Sequence, residues 1–276
     1  MKGDDMPPAE AKLLALLSLA AYAMAAAMAF LARHGQRAPV GRVGVAMTAA
    51  ALGLNIALLS VRLSGGHLPA TSGFDTFTLL ALLTGAAAVY LRALGAMRRV
   101  AGILLPVAAV WMVLGVALAG AAYRDFAHDV WAAAHVALAA AAAACFFAAA
   151  AGGWLYLRKY RQLRSKDPDI FASPLPSLER LDRFIRQVLP AAFVLLTATI
   201  LAGLAGALQP EREGYFRNWV THPKILTAGI TWLLYAVALH TAHAKRFRGR
   251  VRAGLSVAGF VLLVGVLVAS MLLPKT

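Results

Sequence analysis

The sequence predicts an all-α fold: a polytopic integral membrane helical bundle of about eight transmembrane helices, with both termini exterior. Three observations predict it. Of 276 residues, 61% are hydrophobic and only 14% charged, whereas soluble domains average roughly 45–50% and about 25%. The apolar residues form long continuous runs and do not alternate, which excludes a closed barrel of strands. Backbone polar groups in lipid must be satisfied within the segment, so such runs are helices. Finally, the cations are segregated along the chain in a way that repeats with every second connection.

The runs at 10–32, 43–63, 74–94, 100–122, 130–157, 188–208, 224–244 and 253–273 are each long enough to cross a bilayer, which takes about 20 apolar residues. The intervals between them are polar, basic, or rich in Gly and Pro. The first run follows Met1-Lys2-Gly3-Asp4-Asp5, lacks a convincing signal-peptidase site and ends at Arg33, so it reads as a retained helix. The runs leave no stretch long enough for a soluble domain, and residues 1–276 read as a single transmembrane domain.

The connections 33–42, 92–99, 158–186 and 245–252 hold 19 of the 27 Lys and Arg residues and 4 of the 12 Asp and Glu. They alternate strictly with the other connections, which places them in the cytoplasm. The net charge of +15 therefore falls on one face. It is a topology signal for the lipid bilayer, and no nucleic-acid role is implied. The longest polar piece, 158–187, begins Arg158-Lys159-Tyr160-Arg161 and ends in a segment with amphipathic spacing after Ser177. It predicts a short helix on the inner membrane face, with Ser177 as N-cap; an ordinary basic loop is the plainer reading.

Neither a nucleotide-binding loop, a nucleophile elbow nor an HExxH motif occurs, so the chain has no self-contained catalytic motif. The single cysteine, Cys145, lies in an alanine-rich run and reads as a packing residue. With no CxxCH, covalent c-type haem by that motif is excluded. The polar residues in and beside the spans carry the functional reading, because ionisable groups in a membrane are costly. His34 lies in a basic inner loop. His67, His128 and His222 fall one in each outer connection. His135 lies just inside the outer end of the fifth span, and His240 and His243 share a helix face near the inner end of the seventh. A buried histidine on its own most often makes only a hydrogen bond. A zinc site at His240 and His243 would want further ligands, and none is near in sequence. Haem needs one or two axial imidazoles in an apolar pocket and fits this pattern better. The outer connection from Gln209 to Lys224 sets Tyr215, Phe216 and Trp219 among Arg217 and Lys224. That is either an interfacial aromatic belt or a platform for a flat anionic ring, whose propionates Arg217 or Lys224 would pair.

These residues resemble the CcsA-type cytochrome c assembly proteins. Ser64-Gly65-Gly66-His67-Leu68-Pro69 with Phe74-Asp75-Thr76-Phe77 resembles that family's "SGHFPLSNLYESL". Trp131 followed by His135-Val136 is similar to "WLxxHV". Leu181-Asp182-Arg183 with Phe193 to Thr197 resembles "LDxxxYRxIxxGFxxLT". The run from Trp219 through Pro223-Lys224, Thr231-Trp232 and Tyr235 to His240 is similar to "WxWDPKExxxxxTWLxYxxYLHTR". Arg248-Gly249-Arg250 with Gly259-Phe260 resembles "WRGRxxAxxxxxGF". The resemblance covers about residues 60–262 and is carried by the order and spacing of the motifs together.

It implies a protein that binds non-covalent, b-type haem in the bacterial inner membrane. With a CcsB/ResB-type membrane partner, it would present that haem outside for attachment to apocytochrome c. His135 would be an external axial ligand, His240 an intramembrane one, and 214–224 a remnant of a tryptophan-rich haem loop. The chain departs from the pattern in three places: Thr221-His222 precedes Pro223, Trp219 stands without further tryptophans, and no histidine follows His243. His67 and His222 are the substitutes available for the missing external ligand. The pattern is closer to the shorter HemX-like and YpjD-like members. A regulatory or scaffold relative of the same fold, or a small-solute transporter, are the competing readings.

Overall fold

Every apolar run forms a helix in the computed structural model, which describes residues 9–31, 38–66, 72–95, 97–119, 130–166, 175–208, 223–243 and 249–272. The helices are α1 (Ala9–Leu31), α2 (Ala38–Ser64), α3 (Gly73–Ala93), α4 (Arg98–Ala117), α5 (Val130–Arg164), α6 (Leu178–Ala207), α7 (Pro223–His243) and α8 (Arg250–Leu272). No strand occurs among the described residues. Six helices, α1 to α6, are long and apolar enough over their described residues to cross a membrane, and α7 carries a shorter apolar stretch, Ile225–Val237. The architecture is the polytopic all-helical one that hydropathy predicts.

Two helices outrun their apolar segments. α5 continues through the basic residues to Arg164, and α6 begins at Leu178, well before the apolar run at 188. Hydropathy marks only the apolar part of a helix; Arg, Lys, Leu and Gln sustain helical backbone in water equally well. The segment 178–187 is thus the first part of α6. Its Ser177 is the N-cap, with a φ of −61° and ψ of 151°, and its hydroxyl oxygen accepts the Arg180 amide at 3.3 Å.

The chain divides into two compact units, Met1–Ala144 and Cys145–Thr276. In the first, α1 packs on α2 and α4, and α3 on α2 and α4. The buried face of α1 is Ala11, Ala15, Ser18, Ala21, Tyr22, Ala25 and Ala29, mostly small residues recurring three and four apart. Without a hydrophobic force between helices in lipid, close approach and interhelical hydrogen bonds hold such a contact. Ser18 Oγ donates to the Ala51 carbonyl at 3.2 Å, and Tyr22 Oη to the Ala81 carbonyl at 3.3 Å. Leu13, Leu16, Leu17 and Met24 are left exposed on α1, as a lipid-facing surface requires.

In the second unit, α7 packs on α8 and on α6, and α6 on α8. Tyr235 stacks on Phe146 at 3.9 Å, and Phe147 meets Phe260 edge-on at 4.2 Å. Gly259 makes this fit possible, since a Cβ there would overlap the Tyr235 ring.

Candidate functional site

His135 stands in the second turn of α5, about 7 Å along the axis from Val130 at 1.5 Å per residue. It is partly buried. Trp131, one turn earlier on the same face, is 47% exposed. Below His135 the helix is a near-continuous alanine run that becomes buried at Ala140. An imidazole at the mouth of a face lined with methyl groups suits a flat apolar ring with one nitrogen donor. Among the described residues no three of His, Cys, Asp and Glu gather in one cluster, and haem asks only for one or two axial donors. The imidazole of His135 is a donor of the type such a group takes.

His240 lies in the last turn of α7, about 25 Å along the axis from Pro223. That helix is anchored two turns earlier. Trp232 Nε1 donates to Thr197 Oγ1 on α6 at 3.0 Å, and its ring sits 5.3 Å from Phe193. Lys224 is the second residue of α7. His67, Arg217, Trp219 and His222 lie outside the described residues, as do His34 and His128.

Sequence reasoning missed three polar arrangements. Arg62, in the last turn of α2, and Asp75, in the first turn of α3, form a two-pronged ion pair. Nε donates to Oδ1 at 2.7 Å and Nη2 to Oδ2 at 2.8 Å; the residues are 3% and 1% exposed. Ser72, the N-cap of α3, donates its hydroxyl to Asp75 Oδ2 at 2.6 Å and accepts the Asp75 amide at 3.2 Å. Asp182 on α6 accepts from Arg252 Nη1 on α8 at 2.6 Å. Inside the first unit, Asn55 is fully buried and donates to Met112 Sδ at 3.7 Å. The available signal for the first was two opposite charges inside apolar spans, flanking one connection.

Several motif residues thereby acquire local causes. Asp75 holds Arg62, Asp182 holds Arg252, Thr197 holds Trp232, and Gly259 admits Tyr235. The motifs fix helix-to-helix contacts, and His135 and His240 stand on the helices so fixed.

Long apolar helices, interhelical polar contacts and histidines set at intervals along them define a polytopic membrane protein that carries donor groups on its spans. The chain belongs to the family described as "Cytochrome C assembly protein", which it matches over residues 13–274. The match bears out the resemblance read between about 60 and 262 and extends it into α1. Among curated relatives, the cytochrome c biogenesis protein CcsA of Synechococcus sp. (strain RCC307) is 34% identical over 92 residues, 33% of this chain and 28% of that protein. CcsA of Trichodesmium erythraeum (strain IMS101) is 36% identical over 98 residues, 35% of this chain and 27% of that one. CcsA of Trachelium caeruleum is 34% identical over 86 residues, 31% of this chain and 26% of the relative. The aligned stretch thus spans little more than a quarter of those relatives' length. No solved structure matches.

Proposed function

We propose that this chain is a membrane haem-handling protein of cytochrome c maturation. It binds non-covalent, b-type haem and presents it at the exterior face of the bacterial cytoplasmic membrane for attachment to apocytochrome c. The observation that carries the reading is family membership over 13–274 together with His135 near one end of α5 and His240 near the far end of α7. Haem would supply the vinyl groups to which an apocytochrome's cysteines attach. His135, near the start of α5, and His240, in the last turn of α7, would be the residues to hold its iron, with His67 or His222 as a further candidate ligand. Arg217 and Lys224 would pair its propionates and Trp219 would offer an aromatic face. A CcsB/ResB-type membrane protein is the partner.

A visible spectrum of the detergent-purified protein, expressed with haem supplied, tests this. Wild type should show a Soret band, His135→Ala should lose the external haem, and His240→Ala should lower total haem content. Full haem content in both variants would overturn the ligand assignment.

The departures from the family pattern support a second reading. Thr221-His222 stands before Pro223, and Trp219 is the lone tryptophan of that connection; both favour a regulatory or scaffold relative closer to the HemX-like and YpjD-like members. Wild-type preparations that stay haem-free would favour it over the first.

A further inference from the structure

In the second unit, three helices change character at one level. The exposed side of α6 is apolar at Leu201 and Val194 and basic at Arg183 and Arg180. That of α8 is apolar at Val261 and Val251 and basic at Arg250. α5 is enclosed from Ala148 to Gly153, then turns Trp154, Arg158 and Arg161 outward on one stripe. The levels coincide because the helices touch there. A Cβ at Gly152 would stand 3.0 Å from the Phe184 ring of α6, and one at Gly153 would stand 2.7 Å from the Ala253 carbonyl of α8. Gly249, at φ +48°, leads into α8 with its bare backbone against the Tyr156 hydroxyl of α5. Arg252 of α8 donates to Asp182 of α6 at 2.6 Å.

The carboxylates described at this level are already engaged: Glu179 pairs with Arg183, and Asp182 with Arg252 and Arg186. Arg158 and Arg250 lie on rings instead. The Arg158 guanidinium sits 5.7 Å over Trp154, one turn away on α5, and that of Arg250 sits 5.4 Å over Tyr160. A ring engages the flat face of a guanidinium. The N–H donors lie in the plane, and their fork matches a phosphate. Stacking also holds each long side chain in place, which lowers the ordering cost of a further contact. Both arginines are exposed. Trp154 is 48% exposed, as suits an aromatic at the boundary between hydrocarbon and headgroups. A soluble anion would meet the cations and gain nothing from Trp154, Val194 or Val261. A phospholipid meets both, with its acyl chains along the apolar side chains and its phosphate at the guanidinium.

We infer that this end of the second unit is a binding surface for anionic phospholipid headgroups, with Arg158 and Arg250 as the phosphate-binding residues.

The test reconstitutes the full chain in vesicles of phosphatidylglycerol and phosphatidylcholine in equal parts. The protein is then extracted in mild detergent, and native mass spectrometry reads the lipid it retains. Wild type should retain phosphatidylglycerol in preference. Arg158→Gln and Arg250→Gln should each lower that preference about fivefold, the scale of one basic residue at an anionic surface. Arg183→Gln removes the same charge from a residue already paired with Glu179 and should change the preference less. Arg158→Lys keeps the charge without the fork and should fall between wild type and Arg158→Gln. Phosphatidylglycerol with brominated acyl chains should quench the fluorescence contributed by Trp154, defined against Trp154→Phe, more strongly than brominated phosphatidylcholine does. Should a variant fail to fold, the selectivity of wild type and the quenching of Trp154 still decide. Equal retention of the two lipids by wild type would overturn the inference. So would equal losses in Arg158→Gln, Arg250→Gln and Arg183→Gln, the mark of diffuse surface charge without a headgroup site. Loss of the bound phosphatidylglycerol on adding inorganic phosphate would assign the arginines to a soluble anion and overturn it too.

Discussion

At single residues, the tightest constraints come from glycines beneath aromatic rings. Tyr235 is fully buried, and its ring lies against the bare backbone at Gly259 of α8. Gly259→Ala should cost about 1–3 kcal/mol through overpacking, seen as a lower thermal midpoint in detergent. Gly254→Ala, on the same helix with open space around it, should leave the midpoint unchanged or raise it. The Tyr235 hydroxyl finds no partner among the described residues, so Tyr235→Phe should be neutral or stabilising by about 1 kcal/mol. A clear loss of stability in Tyr235→Phe would show that the hydroxyl does have a bonding role. The "GF" element at Gly259-Phe260 was legible as a motif, and its cause was not, because a pattern along one chain does not say which ring will meet it. The same holds for Asp75: its place in a motif was visible, and its partner Arg62 was not, since their pairing exists only once α2 and α3 lie side by side.

At the scale of helices, the positions of all eight were legible because the bilayer demands about 20 apolar residues of each. The extensions of α5 and α6 were not, because apolarity stops at the membrane surface while backbone hydrogen bonding continues. Those extensions build a polar layer in the second unit. Lys159 Nζ donates to the Leu175 carbonyl at 3.1 Å, Arg250 lies 5.4 Å over the Tyr160 ring, and Arg252 reaches Asp182 at 2.6 Å. The Arg252 side chain is 7% exposed and that of Asp182 23%, so this pair is shielded far better than Glu179–Arg183, at 79% and 62%. Arg252→Met should therefore cost about 1.5–3 kcal/mol, the range for hydrogen bonds to charged groups. Arg183→Met should cost about 0.5 kcal/mol or less. Thermal midpoints in detergent check both, and equal losses would remove the distinction by burial.

For the molecule as a whole, orientation decides what the histidines can do, and charge decides orientation. The four basic connections alternate in the sequence, and each unit gathers its own pair at one end. In the first unit, a Cβ at Gly44 near the start of α2 would stand 3.4 Å from the Arg92 guanidinium near the end of α3. The ends of connections 33–42 and 92–99 are therefore neighbours, while Arg62–Asp75 marks the opposite end of the same two helices. In the second unit, the contacts of Arg250 and Arg252 with Tyr160 and Asp182 bring the flanks of 158–187 and 245–252 together. By the positive-inside rule each basic end is expected in the cytoplasm. The proposed presentation role requires that orientation, since it would set the start of α5, with His135, at the exterior and His240 toward the cytoplasmic side. Alkaline phosphatase fused at 165–175 should be inactive and green fluorescent protein at the same site fluorescent, with the reverse at either terminus. Active phosphatase at 165–175 would invert the chain. It would set His135 on the cytoplasmic face, away from any exported apocytochrome, and the presentation role proposed for it would fall.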